Sequence, residues 1–135
     1  MDREPATLQE IIELIRKGYE INGQRLIVSG QWQINKPEGM CFCPLSLAWI
    51  GTKDPLPPDI QGIGFSSKLH LPRIDAGAPT SQELAFTFDD IVLKEKGDYP
   101  PTSKANDFNA YHTLTLDEAI EYFTQAWNKC LELPN

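Results

Sequence analysis

The chain has 135 residues, 41% of them hydrophobic and 23% charged, and a formal net charge of −7. That length suits one domain that buries roughly 65–70% of the surface its unfolded chain exposes, and the composition is that of a globular protein. The acidic balance disfavours direct contact with nucleic-acid phosphates or anionic lipid, and no apolar run approaches the ~18–20 residues of a membrane-spanning helix.

The charge is uneven. Residues 97–135 carry two basic and six acidic groups, against five and six in residues 1–50. Three cysteines, and an opening MDREPATLQE with no charged-then-apolar leader, make a soluble cytoplasmic protein without disulfides the expectation.

Thr7-Leu-Gln-Glu10 has the T-x-x-E spacing of a capping box, in which threonine hydroxyl and glutamate carboxylate each accept from the other residue's amide. Leu8, Ile11, Ile12 and Ile15 follow at helical spacing, with Gly18 as the expected stop. Asn22-Gly23, flanked by apolar residues, has the signature of a tight hairpin, so a small β element is expected around 19–29, a second helical piece being the alternative.

Met40–Gly51 reads MCFCPLSLAWIG. Proline is favoured at the first position of a helix, where its missing N–H is not needed, and glycine just beyond the end. Pro44 and Gly51 therefore bracket a short, mostly buried helix with Cys43 at its N-cap. Three roles are open to the cysteines. As small apolar fillers, Cys41 and Cys43 fit the burial habit of free cysteine. As metal ligands they lack the usual C-x₂₋₄-C spacing, with only Cys130, His70 and His112 to complete a set. As a nucleophile, Cys43 would gain thiolate character from the helix N-terminus. His112 would then be its base and Asn106 or Asp107 the group orienting that base, although Asn106-Asp107 also suits a plain turn.

Residues 52–79 hold five of the eleven prolines and form the expected insert or lid. It is either laid on the core by Ile60, Ile63, Phe65 and Leu69 or mobile, with a short strand within 65–74 suggested by Lys68-Leu-His-Leu71. Thr80-Ser-Gln-Glu83 repeats the box ahead of Leu84, Phe88, Ile91 and Val92, with a strand over 84–88 as the alternative. Thr115-Leu-Asp-Glu118 opens the strongest amphipathic pattern, carrying Leu116, Ala119, Ile120, Phe123, Trp127, Cys130 and Leu131 on one side.

The opening helix, the Gly30-Gln31-Trp32 segment, the C-x-C-x-L-x-L-A helix and the Asn-Asp ahead of T-L-D-E-A occur in an order that resembles a family of small bacterial and phage helical proteins. Members carry a cysteine-led central helix and an Asn-Asp before the last helix. The resemblance implies a compact helical fold and no particular activity. Pro44 and the 52–79 insert depart from the pattern.

These features predict a mainly α single-domain fold over 1–135, with a minor β element and a long Pro-rich loop. The expected core draws on Ile11, Ile12, Ile15, Leu45, Ala48, Trp49, Phe88, Ile120, Phe123 and Trp127. The leading functional expectation is a non-enzymatic interaction, accessory or inhibitory factor that meets a basic protein through Glu118, Glu121 and Glu132. The alternatives are a thiol hydrolase or transferase built on Cys43, His112 and Asp107, and a small-molecule or peptide binding module beneath 52–79. No cofactor, metal, nucleic acid or membrane is expected, and the oligomeric state is left open.

Overall fold

The structure, a computed structural model, describes residues 5–30, 32–37, 39–57, 62–72, 80–97 and 112–131. Within them the fold is mainly helical with a minor β component.

Helix α1 (Leu8–Ile21) starts at the predicted box: Glu10 N–H donates to Thr7 Oγ1 over 3.1 Å and Thr7 N–H to Glu10 Oε1 over 3.0 Å. Ile11, Ile12, Ile15 and Gly18 form its buried face. The helix does not stop at Gly18. That glycine serves a close approach: a Cβ there would lie 1.8 Å from the carbonyl oxygen of Leu47. The stop comes at Asn22, the C-cap, followed by Gly23 at φ 77°. The Asn-Gly pair thus closes a helix instead of turning a hairpin, and Asn22 Nδ2 donates to the Met40 carbonyl over 3.0 Å.

The β component is two antiparallel pairs. Strand β1 (Ile27–Ser29) lies in the expected 19–29 region, but its partner is the distant β4 (His112–Leu114). Strands β2 (Gln33–Lys36) and β3 (Gly39–Phe42) form a local hairpin that bends back beside β1. Val28, Ile34 and Cys41 pack there as a small separate cluster, so Cys41 sits as an apolar filler.

Helix α2 (Pro44–Gly51) has the predicted bounds, with Cys43 as N-cap and Pro44 in the first position. It is buried at Pro44, Leu45, Ser46, Leu47, Ala48 and Gly51, as expected of a helix apolar on every side. Gly51 mirrors Gly18: a Cβ on it would stand 2.1 Å from the carbonyl oxygen of Leu14. The two glycines let the backbones of α1 and α2 touch.

Within the Pro-rich insert the chain forms helix α3 (Gly62–Leu69), not the strand suggested for 65–74. Phe65 and Leu69 are buried, as in the packed alternative, while Ile60 and the side chain of Ile63 lie outside the described part. The Phe65 ring lies 4.6 Å from that of Trp32 and meets Trp49 edge-on at 5.7 Å. Helix α4 (Thr80–Lys96) replaces the strand alternative over 84–88: Leu84, Phe88 and Val92 are buried and Phe86 is exposed. Thr80 is itself helical and buried, so the second T-x-x-E is not the helix's cap. Ser66 of α3 accepts the Ser81 N–H there over 3.1 Å.

Helix α5 (Leu116–Leu131) opens on a second complete box, with Thr115 N–H to Glu118 Oε1 at 3.0 Å and Glu118 N–H to Thr115 Oγ1 at 3.2 Å. Ala119, Phe123, Ala126 and Trp127 are its buried face, which leaves Ile120 at the edge of the stripe. One core cluster runs from Ala6 to Trp127 and takes in Ile11, Ile15, Leu45, Ala48, Phe65, Leu84, Phe88 and Phe123. Trp49, expected in the core, is only half-buried against it.

A methyl group at either crossing glycine must displace backbone, which has no alternative rotamer. Gly18→Ala and Gly51→Ala should each lower the unfolding free energy by more than about 2 kcal/mol in urea titrations. Stability within about 0.5 kcal/mol of the parent would show that the contact carries little.

Candidate functional site

The loop that joins β1 to β2 and the N-terminus of α2 meet at one carbonyl. The oxygen of Trp32 accepts from Cys43 N–H over 3.0 Å and from the Ser46 hydroxyl over 3.0 Å. Ser46 has one hydroxyl proton, and the Trp32 carbonyl takes it. The contact of 3.4 Å between Cys43 Sγ and Ser46 Oγ is therefore a bond donated by the thiol, while Ser46 N–H donates back to Sγ over 3.5 Å. The relay S–H to O–H to C=O requires Cys43 to keep its proton. Burial agrees with it and pushes the Cys43 thiol up to about 11. The Ser46 bonds act in the opposite direction and the charge of Asp89 adds to the rise, so the helix N-terminus does not win.

Helix α4 faces this corner across a cavity of about 250 Å³. Its walls include Trp32, Leu45, Leu84, Phe88 and Phe123, with Gln82 and Phe86 also lining it. The charged group is Asp89. Its Oδ1 accepts the Gly30 N–H over 2.8 Å. Burial raises its carboxyl to about 6, against the lowering effect of that bond, and neighbouring Asp90 adds to the rise. No lysine, arginine or histidine is among the cavity residues. An anion is thus held in a largely apolar wall with no cation beside it among the described residues.

The sequence-predicted residues divide. Cys43 lies in the cavity wall. His112 is buried on β4, where its Nε2 lies 2.8 Å from the Gly97 carbonyl oxygen, and it does not line the cavity. Asn106, Asp107 and Glu132 lie outside the described residues. Glu118 closes the α5 capping box and pairs with Lys96 Nζ at 3.0 Å, and the Thr115 amide, then Lys96, holds its carboxyl below the usual range. Glu121 is exposed. Cys130 is half-buried and donates to Thr87 Oγ1 over 3.1 Å.

Sequence reasoning missed Asp89 and Gln82. The signal was present as a line: Gln82, Ala85 and Asp89 follow one another at i, i+3 and i+7 beside the buried Leu84–Phe88 stripe, where one helical face reaches the edge of the core. Among the described residues no group of three or more His, Cys, Asp or Glu side chains is arranged to hold a metal ion, and no helix is long and apolar enough to cross a membrane. Comparison with protein families, with curated proteins and with solved structures finds no match for this chain.

Two outcomes follow. Asp89 binds its proton more tightly folded, near pH 6, than unfolded, near the ordinary carboxylate value of about 3.9. Its contribution to stability is therefore full below pH ~4 and lost as pH rises through ~6. Asp89→Asn keeps an oxygen for the Gly30 amide and should be more stable than the parent at pH 7.5 by about 1–2 kcal/mol, the difference closing near pH 4. A less stable variant at pH 7.5 would contradict the assignment. In timed iodoacetamide labelling at pH 7.5 read by peptide mass spectrometry, Cys130 should react ahead of Cys43, which labels only on unfolding. Labelling of Cys43 first would restore the nucleophile reading.

Proposed function

We propose that this protein is a non-enzymatic binding module that takes a small ligand into the cavity between the α2 N-terminus and α4. The observation that carries the reading is the cavity itself: aromatic and aliphatic walls, about 250 Å³ of space, and polar groups at Asp89 and Gln82. Such a combination, apolar walls with a few placed polar groups, is the common form of a small-molecule site. The position differs from that expected beneath 52–79, although Phe65 of the insert supports the site by stacking on Trp32.

Against the thiol-enzyme reading stands the protonation of Cys43. A thiol near 11 that donates to Ser46 offers little thiolate at neutral pH, and the one charged group among the cavity residues, Asp89, raises its proton affinity further. The acidic-surface reading, with a basic protein as partner, keeps the net charge as support. Of its three carboxylates, however, Glu118 is engaged within the fold and Glu132 is undescribed. An accessory or inhibitory role fits a ligand-responsive module equally well, and the cavity is the more specific feature.

A neutral solvatochromic naphthalene probe should bind with saturation at one site and a blue-shifted emission. Ala85→Phe and, independently, Gln82→Phe place a ring at the cavity wall and should each raise the probe's Kd at least about tenfold with the far-UV circular dichroism unchanged. Undiminished binding in both folded variants would move the site elsewhere and overturn the proposal.

A further inference from the structure

The cavity's charge pattern and size define the class of ligand more narrowly, given the reading of it as a binding site. Asp89 spends Oδ1 on the Gly30 amide. Its Oδ2 has no cationic partner among the described residues. A carboxylate so placed recognises a donor that carries positive charge, because charge-assisted bonds are shorter and stronger than neutral ones. The remaining walls ask for an aromatic body: Trp32 from the loop before β2, Phe88 from α4 and Phe123 from α5 line the same space, and ring pairs gain from edge and offset contacts.

Size limits how much more can enter. A dry apolar cavity of about 150 Å³ suffices for benzene, so about 250 Å³ matches a small aromatic body with a short arm. The polar end of such a ligand cannot be an anion, since it would face Asp89 in low dielectric. Nor does the site offer the fork of acceptors that a guanidinium favours, since Asp89 is the one carboxylate among the cavity residues and one of its oxygens is already occupied. A primary ammonium, compact and with three rotatable donors, fits a single free oxygen.

We propose that the cavity binds a free arylalkylamine, with the aromatic ring among Trp32, Phe88 and Phe123 and the primary ammonium donating to Asp89 Oδ2. Cys43 contributes by remaining neutral. Its S–H is turned to Ser46, so the thiol presents an uncharged, polarisable surface to the ring side of the pocket.

The test is isothermal titration of the full chain at pH 7.5 with three shape-matched probes: 2-phenylethylamine, 2-phenylethanol and 3-phenylpropionate. The amine should bind at least about tenfold tighter than the alcohol, and the carboxylate weakest. Asp89→Asn should bring the ratio of amine to alcohol affinity down to about one. Equal affinity for amine and alcohol on the parent protein would overturn the amine assignment while leaving the cavity as an apolar site. Absence of binding by all three would overturn both. A tripeptide with N-terminal phenylalanine presents the same ring and ammonium attached to peptide backbone. Binding of that peptide tighter than the free amine would overturn the commitment to a small free ligand and reassign the site to peptide N-termini.

Discussion

The backbone contact between α1 and α2 is the constraint on which the rest of the molecule depends. Gly18 lies against Leu47 and Gly51 against Leu14, each so close that no Cβ fits between them. A helix of eight residues is marginal by itself, because nucleation is costly and few turns follow to offset it. Here α2 is held by a partner helix at backbone distance and by burial on nearly every side. Its N-terminus is thereby fixed in space, and with it the Trp32 carbonyl that accepts from both Cys43 and Ser46. The cavity owes one wall to that arrangement. The other wall, α4, is tied to the same corner by the Asp89–Gly30 bond.

The chemistry of the corner follows from competition between burial and the helix N-terminus. A cysteine at an N-cap is often cited as reactive, since the backbone amides favour its thiolate. That effect needs the amides to meet the sulfur in a setting where a charge is tolerated. Around Cys43 the setting is apolar, and a serine hydroxyl accepts the thiol proton. Desolvation dominates the outcome. The same physics acts on Asp89 less completely, because it is only half-buried and keeps one amide donor.

Much of this fold was legible in local chemistry. The boxes at Thr7 and Thr115 work through residues three apart, and Pro44 with Gly51 marks a helix whose ends are set by backbone rules, so each could be read from a few neighbouring letters. What escaped is what depends on distant partners. Gly18 reads as a stop until Leu47 is known to press on it, and Asn22-Gly23 reads as a hairpin until the strand after it pairs with residues 112–114 instead. Thr80 resembles Thr7 in sequence, yet α3 supplies a serine at that helix start and the threonine is drawn inside. Of the site, Cys43 was legible as an N-cap, while Asp89 was hidden as one acid among many on a long helix. No local pattern distinguishes a solvated aspartate from one that faces an apolar cavity.

That distinction also decides which anion the cavity can hold. Two negative charges in one apolar space repel strongly, and Asp89 already raises the thiol's proton affinity. With one group near 6 and the other near 11, the first charge to form as pH rises is the carboxylate, while burial above all, with Asp89 adding to it, keeps the thiol protonated. The corner consequently favours an oriented anion at Asp89 and a neutral sulfur at Cys43. A chain with net charge −7 has no general shortage of carboxylates. One more, placed where burial makes it unfavourable and where no described residue supplies a cation, accords with the proposed role of meeting a donor from outside the fold.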